Sequence, residues 1–240
     1  MDFNKFYRFW LGLIMRKLRK LSVLIVLFAL CFTPIKAMAE DGEKIILIDP
    51  GHGGFDGGAQ SKNGTIEKEI NLSISLKLKE VLEGKGYKVY LTRENDEIIG
   101  EGGSTIKEKK RADLKKRRDM KSETNCDIFI SIHQNMFPQE KCYGAQVWHA
   151  SNDISKKLAD NIQESIKETV KDNNKRVSKP AGNDYLILRD DYKGASILVE
   201  CGFLSNNEEE KKLQTDEHQN NLVEGISIGI DKYFEENTNN

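Results

Sequence analysis

The chain has 240 residues, 38% hydrophobic and 31% charged, with a formal net charge of −1, proportions that suit one globular domain of ordinary size. Seven of the 37 basic residues but only one of the 38 acidic ones, Asp2, fall within residues 1–39, so the remainder is acidic, 30 against 37. That is the wrong sign for nonspecific binding to nucleic acid, which is excluded as a partner.

Residues 1–20 carry Lys5, Arg8, Arg16, Lys17, Arg19 and Lys20. An apolar run, LSVLIVLFALCFTPI, follows from Leu21 to Ile35, then Ala37-Met38-Ala39 as a small-x-small site. This order reads as a secretory signal peptide cut after Ala39, with an uncleaved membrane anchor as the alternative. The run is shorter than the ~20 residues of a spanning helix. Export across the cytoplasmic membrane is therefore expected, with membrane contact only through residues 1–39 if they are retained, and one folded domain over residues 43–237.

Past the leader, short apolar runs alternate with amphipathic ones. Strands are expected at KIILID (44–49), YKVYLT (87–92), DIFISIH (127–133), AQVWHA (145–150), YLILR (185–189) and SILVEC (196–201). Helices are expected at 67–82, where Ile70, Ile74, Leu78, Val81 and Leu82 share a face, at 106–123, at 153–170, and as a last pair after Ser205. The pattern predicts an α/β fold: a single domain with a mostly parallel or mixed sheet of about six strands and helices on both faces. The run KEKKRADLKKRR (107–118) reads as a solvated helix face. Cys126, Cys142 and Cys201 lack any C-x-x-C spacing, which argues against a thiolate zinc site; a Cys126–Cys142 bridge stays open beside three unpaired thiols.

The stretch IDPGHGGFDGGA (48–59) places His52 in a glycine-rich loop directly after the first strand. A dinucleotide fingerprint starting at Gly51 would need glycine where Asp56 stands, and the phosphate-loop Gly-Lys-Ser/Thr is missing. Glycines also let a chain turn tightly and approach closely, so His52 can face a cleft at the strand's carboxyl end, where open α/β sheets bind ligands. His133 closes another apolar strand in the equivalent place. Two scarce imidazoles at two strand ends suit a metal centre, and a catalytic zinc site takes three His or Asp/Glu ligands with one position open. Glu67, at the start of the first helix, is a candidate third ligand; a first-turn acid favoured by the helix dipole is the plainer account, and Glu69 would serve as well. Glu200 lies inside the apolar SILVECGF, where an ionised carboxylate is costly without a partner. A nearby divalent cation would supply one and leave Glu200 suited to proton transfer; a buried ion pair with Arg93 or Arg189 is the competing account.

At these residues the sequence resembles the zinc-dependent N-acetylmuramoyl-L-alanine amidases of catalytic type 3. The matching stretches are IDPGHGGFDGGA, GTIEKEINLSISLKLKEVLEGKGYKVYLTR, CDIFISIHQN, GAQVW and ASILVECGFLSNNEEEKKL, in the family's order. The resemblance implies that His52, Glu67 and His133 hold one Zn2+ and that Glu200 is the acid/base. It implies a substrate in the peptidoglycan stem peptide and muramic acid, cleaved at the lactyl to L-alanine amide. Asn135 and Arg189 are candidate substrate-binding residues. The family commonly has alanine where this chain has Gln134, a change expected to alter the cleft wall. Exported members that consist of little more than the catalytic domain resemble spore-cortex amidases of the muramic δ-lactam pathway, which act before germination in the cell wall or forespore intermembrane space. An accessory protein is expected to assist folding, zinc retention or placement. The alternatives are a zinc carboxypeptidase acting on the stem peptide and a noncatalytic wall-binding relative.

Overall fold

A computed structural model of the protein describes Met15 and residues 42–238. The leader reading otherwise falls outside the described residues. Strands β1 (Ile45–Pro50), β2 (Lys88–Leu91), β3 (Ile128–Asn135), β4 (Gln146–His149), β5 (Lys179–Pro180) and β6 (Ala195–Phe203) form one sheet in the order β2-β1-β3-β6-β4-β5. The four strands β2, β1, β3 and β6 run parallel, while β4 lies antiparallel to β6 and parallel to β5. The sheet is mixed.

Among the described residues five helices accompany it: α1 (Glu67–Gly84), α2 (Ile106–Thr124), α3 (Asp153–Val170), α4 (Asn207–Leu213) and α5 (Asp216–Thr238). On one face, Ile46, Ile48, Ile130 and Val199 of the sheet pack with Ile74 and Leu78 of α1, Ile162 of α3 and Ile226 of α5. On the other, Leu47, Phe129 and Leu198 pack with Met120 of α2 and with Ile187 and Leu188. The central strands β1, β3 and β6 are thus covered on both sides, which is why they read as nearly unbroken apolar runs. Val81, grouped with the buried face of α1 by its spacing, is instead 37% exposed.

The structure corrects two expectations. YLILR is not a strand but a 3-10 turn, Leu186–Leu188, because Ile187 and Leu188 cap the second core while the place beside β4 is taken by Lys179–Pro180. The basic run is not wholly solvated either: Arg117 is 1% exposed and Lys121, just beyond the run, is fully buried. Cys126, Cys142 and Cys201 are all free thiols.

Candidate metal centre

The carboxyl ends of β1 and β3 and the first residue of α1 bring His52, Glu67 and His133 together. Their ligating atoms lie within 4.8 Å of one another. Glu67 Oε1 stands 3.3 Å from His52 Nε2 and 3.0 Å from His133 Nδ1, so both imidazoles converge on one carboxylate oxygen. The two rings meet edge to face with centroids 5.0 Å apart.

The close approach depends on missing side chains. A Cβ on Gly51 would fall 2.3 Å from the His133 ring, and one on Gly58 would fall 2.5 Å from Glu67 Oε2 and 2.6 Å from His52 Cδ2. His52 itself adopts the left-handed region at φ 63°, a conformation that costs a residue with a Cβ about 1–2 kcal/mol. Two buried guanidinium groups hold it there. His52 O accepts from Arg93 Nε and from Arg117 Nη2, each at 2.7 Å. Pro50 O accepts from the same two side chains at 2.9 and 2.8 Å, and Gly51 O from Arg93 Nη2 at 3.0 Å. Arg117 is balanced by Asp49 and Asp113, each at 2.7 Å.

Each candidate ligand has its own support. Asp56 Oδ2 accepts from His52 Nδ1 at 3.0 Å, the carboxylate–imidazole arrangement that orients metal-ligating histidines. Asp56 also binds Lys110 at 2.7 Å. Glu67 is 3% exposed, and its oxygens accept from Ala59 N at 2.7 Å and Gln134 N at 3.0 Å. Burial works to raise the Glu67 pKa, but hydrogen bonds and charge from His133 and His52 override it and hold the carboxyl far below its usual range. Burial would lower the His52 pKa; bonding to Asp56 and Glu67 lifts it instead to about 9. Two imidazoles and a carboxylate, with further acceptors and donors behind them, are the nitrogen and oxygen donor set that divalent zinc takes. The residues fit a metal ion.

Glu200 sits directly across the ladder from His133, so both side chains leave the same face of the sheet. It is 7% exposed. Arg93 serves the loop carbonyls rather than Glu200, and the side-chain bond to Glu200 is from the Tyr185 hydroxyl to Oε1 at 3.2 Å. Oε2 is buried without a protein partner among the described residues. Burial raises the Glu200 pKa to about 7, with His133 pulling it down and Glu67 pushing it up.

Beside these groups lies a cavity of about 350 Å³, bordered by His52, His133, Asp56, Lys110, Leu114 and Tyr185. Arg189 is exposed at the end of the 3-10 turn and borders a different cavity, with Asn152 and Asp191. Asn135 ends β3, half-buried, with its carbonyl accepting from Leu204 N at 2.8 Å. Gln134 does not form the cleft wall: it is 4% exposed, and its Nε2 donates at 3.1 Å to Asn71 Oδ1 on α1. Strand alternation sends it to the face opposite His133. Sequence reasoning missed Asp56, Arg117, Asn71 and Tyr185. The i, i+4 spacing of His52 and Asp56 was a usable signal; nothing local announced the others.

A family model described as N-acetylmuramoyl-L-alanine amidase matches residues 46–232. The germination-specific N-acetylmuramoyl-L-alanine amidase of Bacillus subtilis (strain 168) is 34% identical over 195 residues, which cover 80% of this chain and 81% of that one. The CwlD amidase from Clostridioides difficile, solved in complex with the GerS lipoprotein, shares 42% identity at a TM-score of 0.77, covering 80% of this chain and 99% of that one. An N-acetylmuramoyl-L-alanine amidase from Clostridium difficile 630 shares 32% at a TM-score of 0.70, covering 80% and 97%. With a family match over most of its length and relatives that share both its sequence and its sheet, the chain belongs to the N-acetylmuramoyl-L-alanine amidase family.

Proposed function

We propose that this amidase is zinc-dependent, that His52, Glu67 and His133 hold the ion, and that Glu200 is its acid/base. The observation that carries the reading is the convergence of two imidazoles on Glu67 with Glu200 facing His133 across the ladder. When bound, zinc supplies an electrophilic centre that makes water acidic and accepts charge from the scissile carbonyl. The protein's own groups do the rest. Asp56 fixes the orientation of the His52 imidazole through Nδ1, and the cavity walls seat the muramoyl peptide. Glu200 takes a proton from the attacking water and returns it to the departing L-alanine nitrogen, a task suited to a carboxyl whose burial raises its pKa to about 7. The bond broken is the amide between the lactyl group of N-acetylmuramic acid and L-alanine of the stem peptide. Asn135 and Arg189 are proposed to contact substrate farther from the reacting bond.

We place the enzyme outside the cytoplasmic membrane, in spore-cortex maturation on the muramic δ-lactam route. The likeness to a germination-specific relative and the leader composition support this. The solved complex of a relative with a lipoprotein supports an accessory protein here as well. Mass spectrometry of muropeptides incubated with zinc-loaded protein tests the chemistry. Expected products are a free lactyl carboxyl and a peptide beginning with L-alanine, and Glu200→Gln is expected to retain zinc and fold yet release neither. Shortened stem peptides would point to a carboxypeptidase instead, and release that persists after chelation would end the zinc reading.

A further inference from the structure

The Tyr185 hydroxyl and the 3-10 turn that follows it have no place in the chemistry described so far. Tyr185 is half-buried, borders the cavity shared with His52 and His133, and donates to Glu200 Oε1 at 3.2 Å. Burial, together with the neighbouring Glu200 charge, raises its pKa, so the phenol keeps the proton it donates. The ring packs against Trp148 of β4, with centroids 5.6 Å apart.

The turn is anchored from behind. Lys121, fully buried on α2, donates to Ile187 O at 2.6 Å and to Asp190 Oδ2 at 3.0 Å, and lies 4.4 Å from the Phe129 ring centroid. A buried ammonium is costly without such partners, and here they fix a segment that no strand pairing holds. Tyr185 therefore rests on a rigid support.

We infer that Tyr185 is a positioning residue for Glu200: by occupying Oε1, its hydroxyl leaves Oε2 as the oxygen that exchanges protons with the substrate. The inference rests on the amidase reading. In the reaction, a water O–H bond breaks and its proton goes to Oε2. The water oxygen bonds to the lactyl carbonyl carbon, the carbon–nitrogen bond breaks, and the proton on Oε2 passes to the leaving nitrogen. Oε1 stays bonded to Tyr185 throughout, so the carboxyl does not rotate between the two transfers.

The test compares Tyr185→Phe, which keeps the ring against Trp148, with Tyr185→Leu, using the full zinc-loaded chain and a purified muropeptide. Tyr185→Phe is expected to lower kcat about tenfold, the rate equivalent of one hydrogen bond to a charged group. KM is expected to stay within about twofold, because the hydroxyl acts through Glu200, with zinc content and thermal midpoint unchanged. Tyr185→Leu should lose at least as much kcat and also raise KM. An unchanged kcat in Tyr185→Phe, or an effect confined to KM, overturns the inference. A double-mutant cycle of Tyr185→Phe with Glu200→Leu, read by urea unfolding of the zinc-free protein, measures the contact without reference to activity. Coupling equivalent to severalfold in the unfolding constant is expected, and zero coupling overturns the contact. A wild-type chain inert on muropeptides refutes the amidase reading itself, and the cycle still decides the contact.

Discussion

Arg117→Met removes the guanidinium that neutralises Asp49 and ties α2 to the carbonyls of Pro50 and His52. Asp49 is 0% exposed, and after the change its side chain would keep the hydrogen bonds from the Thr92 and Ser131 hydroxyls, each at 2.6 Å, but no directly bonded cation among the described residues. The loop carbonyls keep Arg93 as a donor, and Asp113 keeps the amides of Ile99 and Gly100, so the dominant loss is the uncompensated Asp49 charge. Breaking a buried pair from one side costs about 3–5 kcal/mol. The cost depends on pH with a definite sign. In the native protein, burial raises the Asp49 pKa but Arg117 and the two hydroxyls outweigh it, holding the carboxyl below the usual aspartate range. That stability is complete above about pH 4 and is lost as pH falls through the lower folded value. In the variant, burial acts without the guanidinium, the carboxyl protonates more readily, and acidification relieves the penalty. Urea unfolding at pH 7 and pH 4 measures both, with the larger gap expected at pH 7. A loss below about 1 kcal/mol at pH 7, or an equal loss at both values, would refute the reasoning from an unpaired buried charge.

Asn71→Ala should weaken zinc binding by about 10–100-fold, as losses directly behind a ligand typically do, because its amide donates to Glu67 Oε1 at 3.4 Å and to Gly51 O at 3.1 Å. Competition against a fluorescent chelator reads this directly, and an unchanged affinity would mean that the Glu67 backbone contacts suffice. Zinc uptake at pH 7.5 should release about one proton, since bonding to Asp56 and Glu67 keeps His52 charged up to about 9 in the metal-free protein. Apparent affinity should then fall about tenfold per pH unit of acidification below that value. Calorimetry in buffers of differing ionisation enthalpy checks the count, and heats independent of buffer would contradict it.

The three covered strands were legible because their apolar runs are long and flanked by turn residues, and α3 matched its expected ends at Asp153 and Val170. The approach of His52 and His133 was legible because both close such strands. Interactions across the sheet were not. Arg117 and Lys121 sit on a helix whose other cations face water, and only tertiary packing selects which of them turn inward. YLILR carries β-forming residues, yet the second core claims Ile187 and Leu188 and bends them into a turn. Gln134 follows His133 in the chain, but strand alternation puts the two side chains in different surroundings, so adjacency in sequence misled the cleft assignment.

The candidate ligands Glu67 and His133 stand 66 residues apart, and they meet only when β1 and β3 lie side by side. Bringing such distant segments together carries a loop-closure cost that local structure cannot offset in advance. A chain that has formed its helices but not its central ladder would therefore bind zinc no better than scattered histidines do, which makes metal capture a late event and a chemical marker of completed folding.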